Sequence, residues 1–369
     1  MMRALAAATL VLVACGEDAP TGVDLSKPVM VDLASPPPAK LSAWNLFTWD
    51  PAVGFTFNAT GERIVPYELT TPLFSDYALK SRAIYIPPGA TATFDPERVL
   101  ELPVGSVIVK SFYFAADLRA PADDLTLVET RLLVRHDDGW HAHPYIWDEA
   151  QQDAVLSPAG EVRPITFIDP HGETQTASYL IPQRNQCATC HGYKATETSS
   201  TETVPIGIKA RYLAHDGQLA RMTELGLLDG APATVEPAYD FRAIETGGVA
   251  AIPPADIDEA ARTYLDINCA HCHNPNGVQG MTSQLFLDRA NQDPFRLGLC
   301  KRPGSAGAGN GGLTFDIVPG NPEQSILYFR TSTTQVGAMM PLLGRSTAHT
   351  RGVELLHAWI AAMPADDCM

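Results

Sequence analysis

The sequence predicts an α+β protein: an antiparallel β-sandwich or barrel-like domain first, mainly α-helical domains after it. Two observations carry this expectation. Between residues 44 and 182, short β-branched and aromatic runs are punctuated by Gly, Pro and Asp turns. Beyond residue 183, apolar residues recur at three- and four-residue intervals instead. With 369 residues the chain is long enough for two or three cores, and its 30 prolines and 28 glycines favour many turns over long helices.

The elements follow in order. Residues 1–14 read as an export signal, with Arg3 before a short apolar run, Ala4 to Val13, too short to span a bilayer. Leu12-Val13-Ala14-Cys15 resembles a bacterial lipobox, which implies that Cys15 becomes a lipid-modified first residue and tethers the protein to a membrane. Gly16 after that cysteine resembles the pattern sorted to an outer membrane, so the expected location is the cell envelope, facing periplasm or surface. Residues 15–43, with Ser35-Pro36-Pro37-Pro38, are expected to form an extended linker.

Residues 44–182 form the β-rich domain, with three expected hairpins. Ala83 to Ile86 would turn at Pro87-Pro88-Gly89 into Thr91 to Phe94. Val128 to His136 would turn into Trp140 to Tyr145, and Ile165 to Phe167 into Thr174 to Leu180. Ser106 to Phe114 reads as a more buried strand. Residues 183–250 and 251–369 make up two further regions, with helices expected at Asp216 to Leu228, Pro254 to Asn268, Pro322 to Thr331 and Thr350 to Met363. A net charge of −16 argues against a nucleic-acid partner and suits docking to a basic protein surface.

Two short motifs carry the chemistry. Gln186 to Gly192 reads QCATCHG and Asn268 to Asn274 reads NCAHCHN, so Cys187, Cys190 and His191 are matched by Cys269, Cys272 and His273. Two sulfurs three residues apart on one turn reach both vinyl groups of a porphyrin, and the adjoining imidazole meets the iron from the same side. The spacing predicts two c-type haems, attached covalently at Cys187, Cys190, Cys269 and Cys272, with His191 and His273 as proximal iron ligands. A four-cysteine zinc site would leave both histidines without a task. A disulfide oxidoreductase needs one pair within a thioredoxin-like βαβ pattern, which the chain does not display.

Gly337 to Gly344 reads GAMMPLLG, about seventy residues beyond Cys269. This Met-Pro loop resembles the distal side of a mono-haem cytochrome c domain, which implies Met340 as the distal ligand of the second haem, with Met339 as its rival. For the first haem Met222 is the expected distal ligand, with His215, His171 or an open position as alternatives. His271 is expected to be structural, being badly placed for the iron of its own motif. His141 and His143 would share a strand face, a weak zinc or copper signal. With Cys15 assigned to lipid and four cysteines to haem, Cys300 and Cys368 are expected to pair as a disulfide in an oxidising compartment. Gly304 to Gly312 reads as a flexible surface loop.

The chain resembles a family of bacterial dihaem c-type cytochromes with a β-rich N-terminal half. The resemblance lies in Tyr67 to Lys80 (YELTTPLFSDYALK), Ser106 to Phe114, the two motifs with their flanks, Asp316 to Ile326 (DIVPGNPEQSI) and Met340 to Ser346. It implies a lipid-anchored carrier of single electrons between redox partner proteins, with no catalytic residue of its own. A dihaem peroxidase is the alternative enzyme reading. A second alternative is a haem relay on a β domain that binds a dehydrogenase or a polymer.

Overall fold

The computed structural model describes residues 23–121, 124–196, 198–278 and 283–368. The signal segment 1–14 and Cys15 lie outside the described residues. The strands used below are β1 (Phe47–Asp50), β2 (Gly54–Phe57), β3 (Ile64–Pro66), β4 (Leu79–Tyr85), β5 (Ala92–Thr93), β6 (Val107–Phe114), β7 (Thr126–His136), β8 (Gly139–Trp147), β9 (Ala154–Leu156), β10 (Glu161–Ile168) and β11 (Thr174–Ile181).

An antiparallel sheet of order β3-β4-β6-β7-β8-β9 organises the N-terminal half, with β1–β2 and β10–β11 as separate hairpins. Side chains alternate across a strand, and β6 shows what that achieves. Val107 and Val109 enter a core with Trp44, Phe47, Leu132, Tyr145 and Trp147, whereas Ile108, Phe112 and Phe114 point to the other face. The first face is covered by β1–β2 and the Leu41–Trp44 turn. The second face turns toward the helical half.

Several expectations need correction. The sheet is open, ending at β3 and β9, so it closes no barrel among the described residues. The β7–β8 and β10–β11 hairpins form with the expected partners, His136 opposite Gly139 and Ile168 opposite Thr174. The hairpin expected at Ala83–Phe94 does not: β4 pairs with β3 and β6, while β5 pairs in parallel with Leu228–Asp229. Residues 23–43 of the expected linker lie against the β half, where Val29, Val31 and Leu33 pack on its core and Tyr145 donates to the Pro38 carbonyl.

The helical half has its own core, built where Ile257–Asn268 crosses Thr350–Ala361 and Leu265, Leu355, Leu356 and Ile360 interlock. Gly352 permits this crossing, since a Cβ there would lie 2.2 Å from the Tyr264 hydroxyl. Residues 183–250 do not stand as a separate unit. Ile208, Tyr212, Leu219 and Met222 share a core with Val65, Ile84 and Ile108, whereas Phe241 and Ile244 belong to the helical core. Cys300 and Cys368 are disulfide-bonded, joining the C-terminus to the loop beyond the second motif.

A buried carboxylate fastens these parts. Asp266 accepts from Lys209 Nζ at 2.8 Å, the Tyr212 hydroxyl at 2.7 Å and the Arg289 amide at 3.0 Å. Burial alone would raise its pKa, but the Lys209 ammonium and these donors outweigh burial and hold it below the usual carboxylate value. Asp266→Ala leaves the buried Tyr212 hydroxyl and the partly buried Lys209 ammonium without their acceptor and is expected to cost about 1–3 kcal/mol in urea unfolding. Because the folded pKa is depressed, the wild-type contribution is fully present above about pH 4 and is lost as pH falls through the folded value. A variant whose deficit persists unchanged at acidic pH would contradict this.

Candidate functional site

Each motif occupies the wall of its own cleft. Cys187, Cys190 and His191 share one short helix, Cys187–His191, so positions i, i+3 and i+4 project to one side. This first cleft is floored by the second face of the sheet, including Arg82, Ile108, Lys110 and Arg131. The second motif begins at the C-cap of the Ile257–Asn268 helix and continues as a turn, with the His273 amide donating to the Cys269 carbonyl at 2.9 Å. Its cleft also takes in Lys301, Asp316, Arg330 and Met340. Both clefts open to solvent, with cavity volumes of about 140 Å³ for the first and 280 Å³ for the second.

Both imidazoles are held by their Nδ1 side. His191 Nδ1 donates to the Val204 carbonyl at 2.7 Å, which leaves Nε2 as the nitrogen with a free lone pair. His273 Nδ1 lies 3.4 Å from Ser283 Oγ. Burial pushes both imidazoles down to about 4, so both are neutral near pH 7. Cys187, Cys190, Cys269 and Cys272 are free thiols rather than disulfides. Burial raises Cys187 above the usual thiol value and pushes Cys269 up to about 12. Cys190 goes the other way, held below the usual thiol value chiefly by its hydrogen bond with the Cys272 thiol and then by His271.

The clefts meet. Cys190, His271, Pro341 and Leu343 line both, and the ligating atoms of Cys190, His271 and Cys272 all lie within 4.8 Å of one another. His271, read from the sequence as a bystander, stands at the junction with its Nδ1 buried and without a hydrogen-bond partner.

Met340 lines the second cleft with His273, as its place in the sequence suggested, and Met339 does not. Its loop is clamped from two sides. Arg345, itself buried, donates to the carbonyls of Met340, Thr347, Arg330 and Thr333 at 2.9–3.1 Å. From the β half, the buried Asp76 carboxylate accepts from the Ser346 and Thr347 amides at 2.6 and 2.8 Å and from both hydroxyls. The glycine-rich loop is likewise not free: Gly304, Ser305 and Ala306 line the second cleft. Gly311 packs so closely on Phe329 that a Cβ would lie 2.6 Å from its ring.

Met222 is not at the first cleft. It is 1% exposed, and its helix turns Leu219 and Met222 together into the core shared with the sheet. His215 is occupied by Asp216 and the Glu68 carbonyl, and His171 lies in the β10–β11 turn; neither lines the cleft. His136 and His141 stack on the sheet with ring centroids 4.0 Å apart, and His141 Nε2 lies 2.9 Å from Asp138 Oδ1. His143 is buried beside Trp44.

The sequence reading missed the cations beneath the first cleft. Lys110 is pushed well below the usual lysine range by burial, then by the nearby charges of Arg82, Lys80 and Arg131. The visible signal was a lysine inside VIVKSFYF, an otherwise buried strand.

No protein-family model, curated protein or solved structure matches the chain.

Asp76→Ala should free the loop that carries Met340. The Ser346 and Thr347 amides are expected to exchange hydrogen markedly faster, with a stability loss of about 1–3 kcal/mol. Unchanged exchange at these two amides, followed by mass spectrometry, would show that Arg345 alone holds the loop.

Proposed function

We propose that the chain carries two c-type haems and passes single electrons between partner proteins outside the cytoplasm. The observation that carries this reading is the pair of adjoining clefts, each walled by a Cys-x-x-Cys-His motif, with Cys190 and Cys272 at their junction. Haem supplies reversible one-electron chemistry at its iron. Cys187 and Cys190 would hold one group with His191 as ligand, and Cys269 and Cys272 the other with His273 and Met340. The chain contributes fixed attachment, neutral imidazoles oriented through Nδ1, and a methionine loop restrained by Arg345 and Asp76. Two sulfurs meeting at one junction would bring the edges of the two attached groups together, as an electron relay requires.

Export and a lipid anchor at Cys15 belong to the same proposal, because c-type haem is attached outside the cytoplasm. No helix among the described residues is long and apolar enough to cross a membrane. The family of dihaem cytochromes named above is the chain's proposed relative.

A second reading is a dihaem peroxidase. It is favoured by one observation: among the described residues no methionine lines the first cleft, so the expected methionine ligand is missing there. Spin state separates the two, since a carrier has both irons six-coordinate and low-spin.

The full chain, matured in a bacterium that attaches c-type haem, is expected to gain the mass of two haems. Cys187→Ser with Cys190→Ser should remove one. Bare thiols, or a metal ion held by Cys190, His271 and Cys272, would sink the proposal. Met340→Ala is expected to lower the potential of the second haem by roughly 0.1–0.2 V, within the ~0.8 V range that axial ligands govern. An unmoved potential would remove Met340 from the iron.

A further inference from the structure

We propose that Arg82, Lys110 and Arg131 form an anion site in the first cleft that binds a carboxylate or small oxyanion. The three residues stand directly opposite one another across β4, β6 and β7, Arg82 paired with Lys110 and Lys110 with Arg131. Like charges directly opposite on a sheet face destabilise it, and here three cations occupy one cross-strand row. All three line the cleft.

The surrounding charges do not balance the row. Glu129, 0% exposed, is already committed to Arg131 through Nε at 2.7 Å and Nη2 at 2.5 Å, and to the Tyr179 hydroxyl at 2.7 Å. Arg82, 4% exposed, makes one side-chain hydrogen bond, to Glu68 at 3.2 Å, and Glu68 is largely in solvent. Asp76 is taken by the Met340 loop. Lys110 Nζ donates to no described residue and stands over the Phe112 ring, 5.1 Å from its centroid. Lys80, on the same face, has a single backbone acceptor, the Ala78 carbonyl. The Ser75 hydroxyl lines the same cleft, buried and without a partner.

Arg82 is buried and Lys110 and Arg131 are partly buried, and cations drawn out of water with unfilled donors are costly unless an anion meets them. The Arg82 guanidinium beside a lysine suits an oxyanion, because an arginine fork matches carboxylate geometry and the ammonium adds a point charge, while Arg131, its Nε and Nη2 held by Glu129, adds its charge and Nη1. The anion has two possible sources. One is a carboxylate of the haem held at Cys187 and Cys190, which rests on the function proposed above. The other is a free oxyanion that enters the cleft, which does not.

The test uses the purified full chain as matured, with Arg82→Gln, Lys110→Met and the charge-keeping Lys110→Arg. Phosphate and sulfite are titrated by calorimetry at constant ionic strength, and both haem potentials are measured. If the carboxylate is haem-borne, wild type binds neither ion. Lys110→Met and Arg82→Gln then each lower the potential of the first haem only, and Lys110→Arg restores it. If the anion is free, wild type binds one of the ions saturably and the first two variants weaken it at least tenfold. No binding together with unmoved potentials overturns the site. So does a change of spin state confined to the Lys110 variants, which would assign Lys110 to the iron instead. Should mass spectrometry find no haem, the calorimetric arm alone decides, and absence of binding overturns the site.

Discussion

The Asp76 carboxylate is the contact on which the geometry of both clefts depends. It projects from the β half, accepts four hydrogen bonds from Ser346 and Thr347, and so fixes the loop that begins at Met340. Pro341 and Leu343 on that loop line both clefts. A carboxylate buried to 1% exposure is tolerable only when its lone pairs are met, so the donors and the carboxylate hold one another in place. Phe74 and Tyr77 extend the same junction, Phe74 stacking on His349 at 4.3 Å and Tyr77 meeting Thr350. The β half is therefore part of the site, and the stretch from Tyr67 to Lys80 acquires a physical task.

Much of the fold was legible because its signals are local. The period-two patterns of Val107–Phe114 and of the hairpins at Asp137-Asp138-Gly139 and Pro170-His171-Gly172 each specify strand and turn within a dozen residues. The expected hairpin at Ala83–Phe94 failed because Pro87-Pro88-Gly89 marks a turn without naming a partner; β5 pairs with Leu228–Asp229, far along the chain. Met222 failed for a related reason. A methionine at helical spacing shows which face it lies on, not whether that face meets a cleft or a core. The pairing of Cys300 with Cys368 was legible by counting alone.

The site was legible only where chemistry is written in consecutive residues. The two motifs and Met340 are such cases. His271 stands beside Cys190 as well as Cys272 because the fold brings the two motifs together, which the spacing within its own motif does not show. Asp76 and Arg345 could not be paired with Met340 from sequence, because Asp76 acts on residues 270 and 271 positions away. Arg82, Lys110 and Arg131 become a group only when the register of three strands is known.

Overall charge and local charge point in opposite directions here, and the difference is informative. The chain carries −16 in total, yet the sheet face that floors the first cleft sets Arg82, Lys110 and Arg131 in one row. Surface acidity governs encounter with other proteins and keeps the molecule soluble. The cations of the cleft act at short range, on whatever enters it, where lowered polarity strengthens each interaction. That β6 carries Lys110 between Ile108 and Phe112 breaks the local pattern at the point where the first cleft opens. Departures of this kind concentrate where a protein's interior is built around something other than itself.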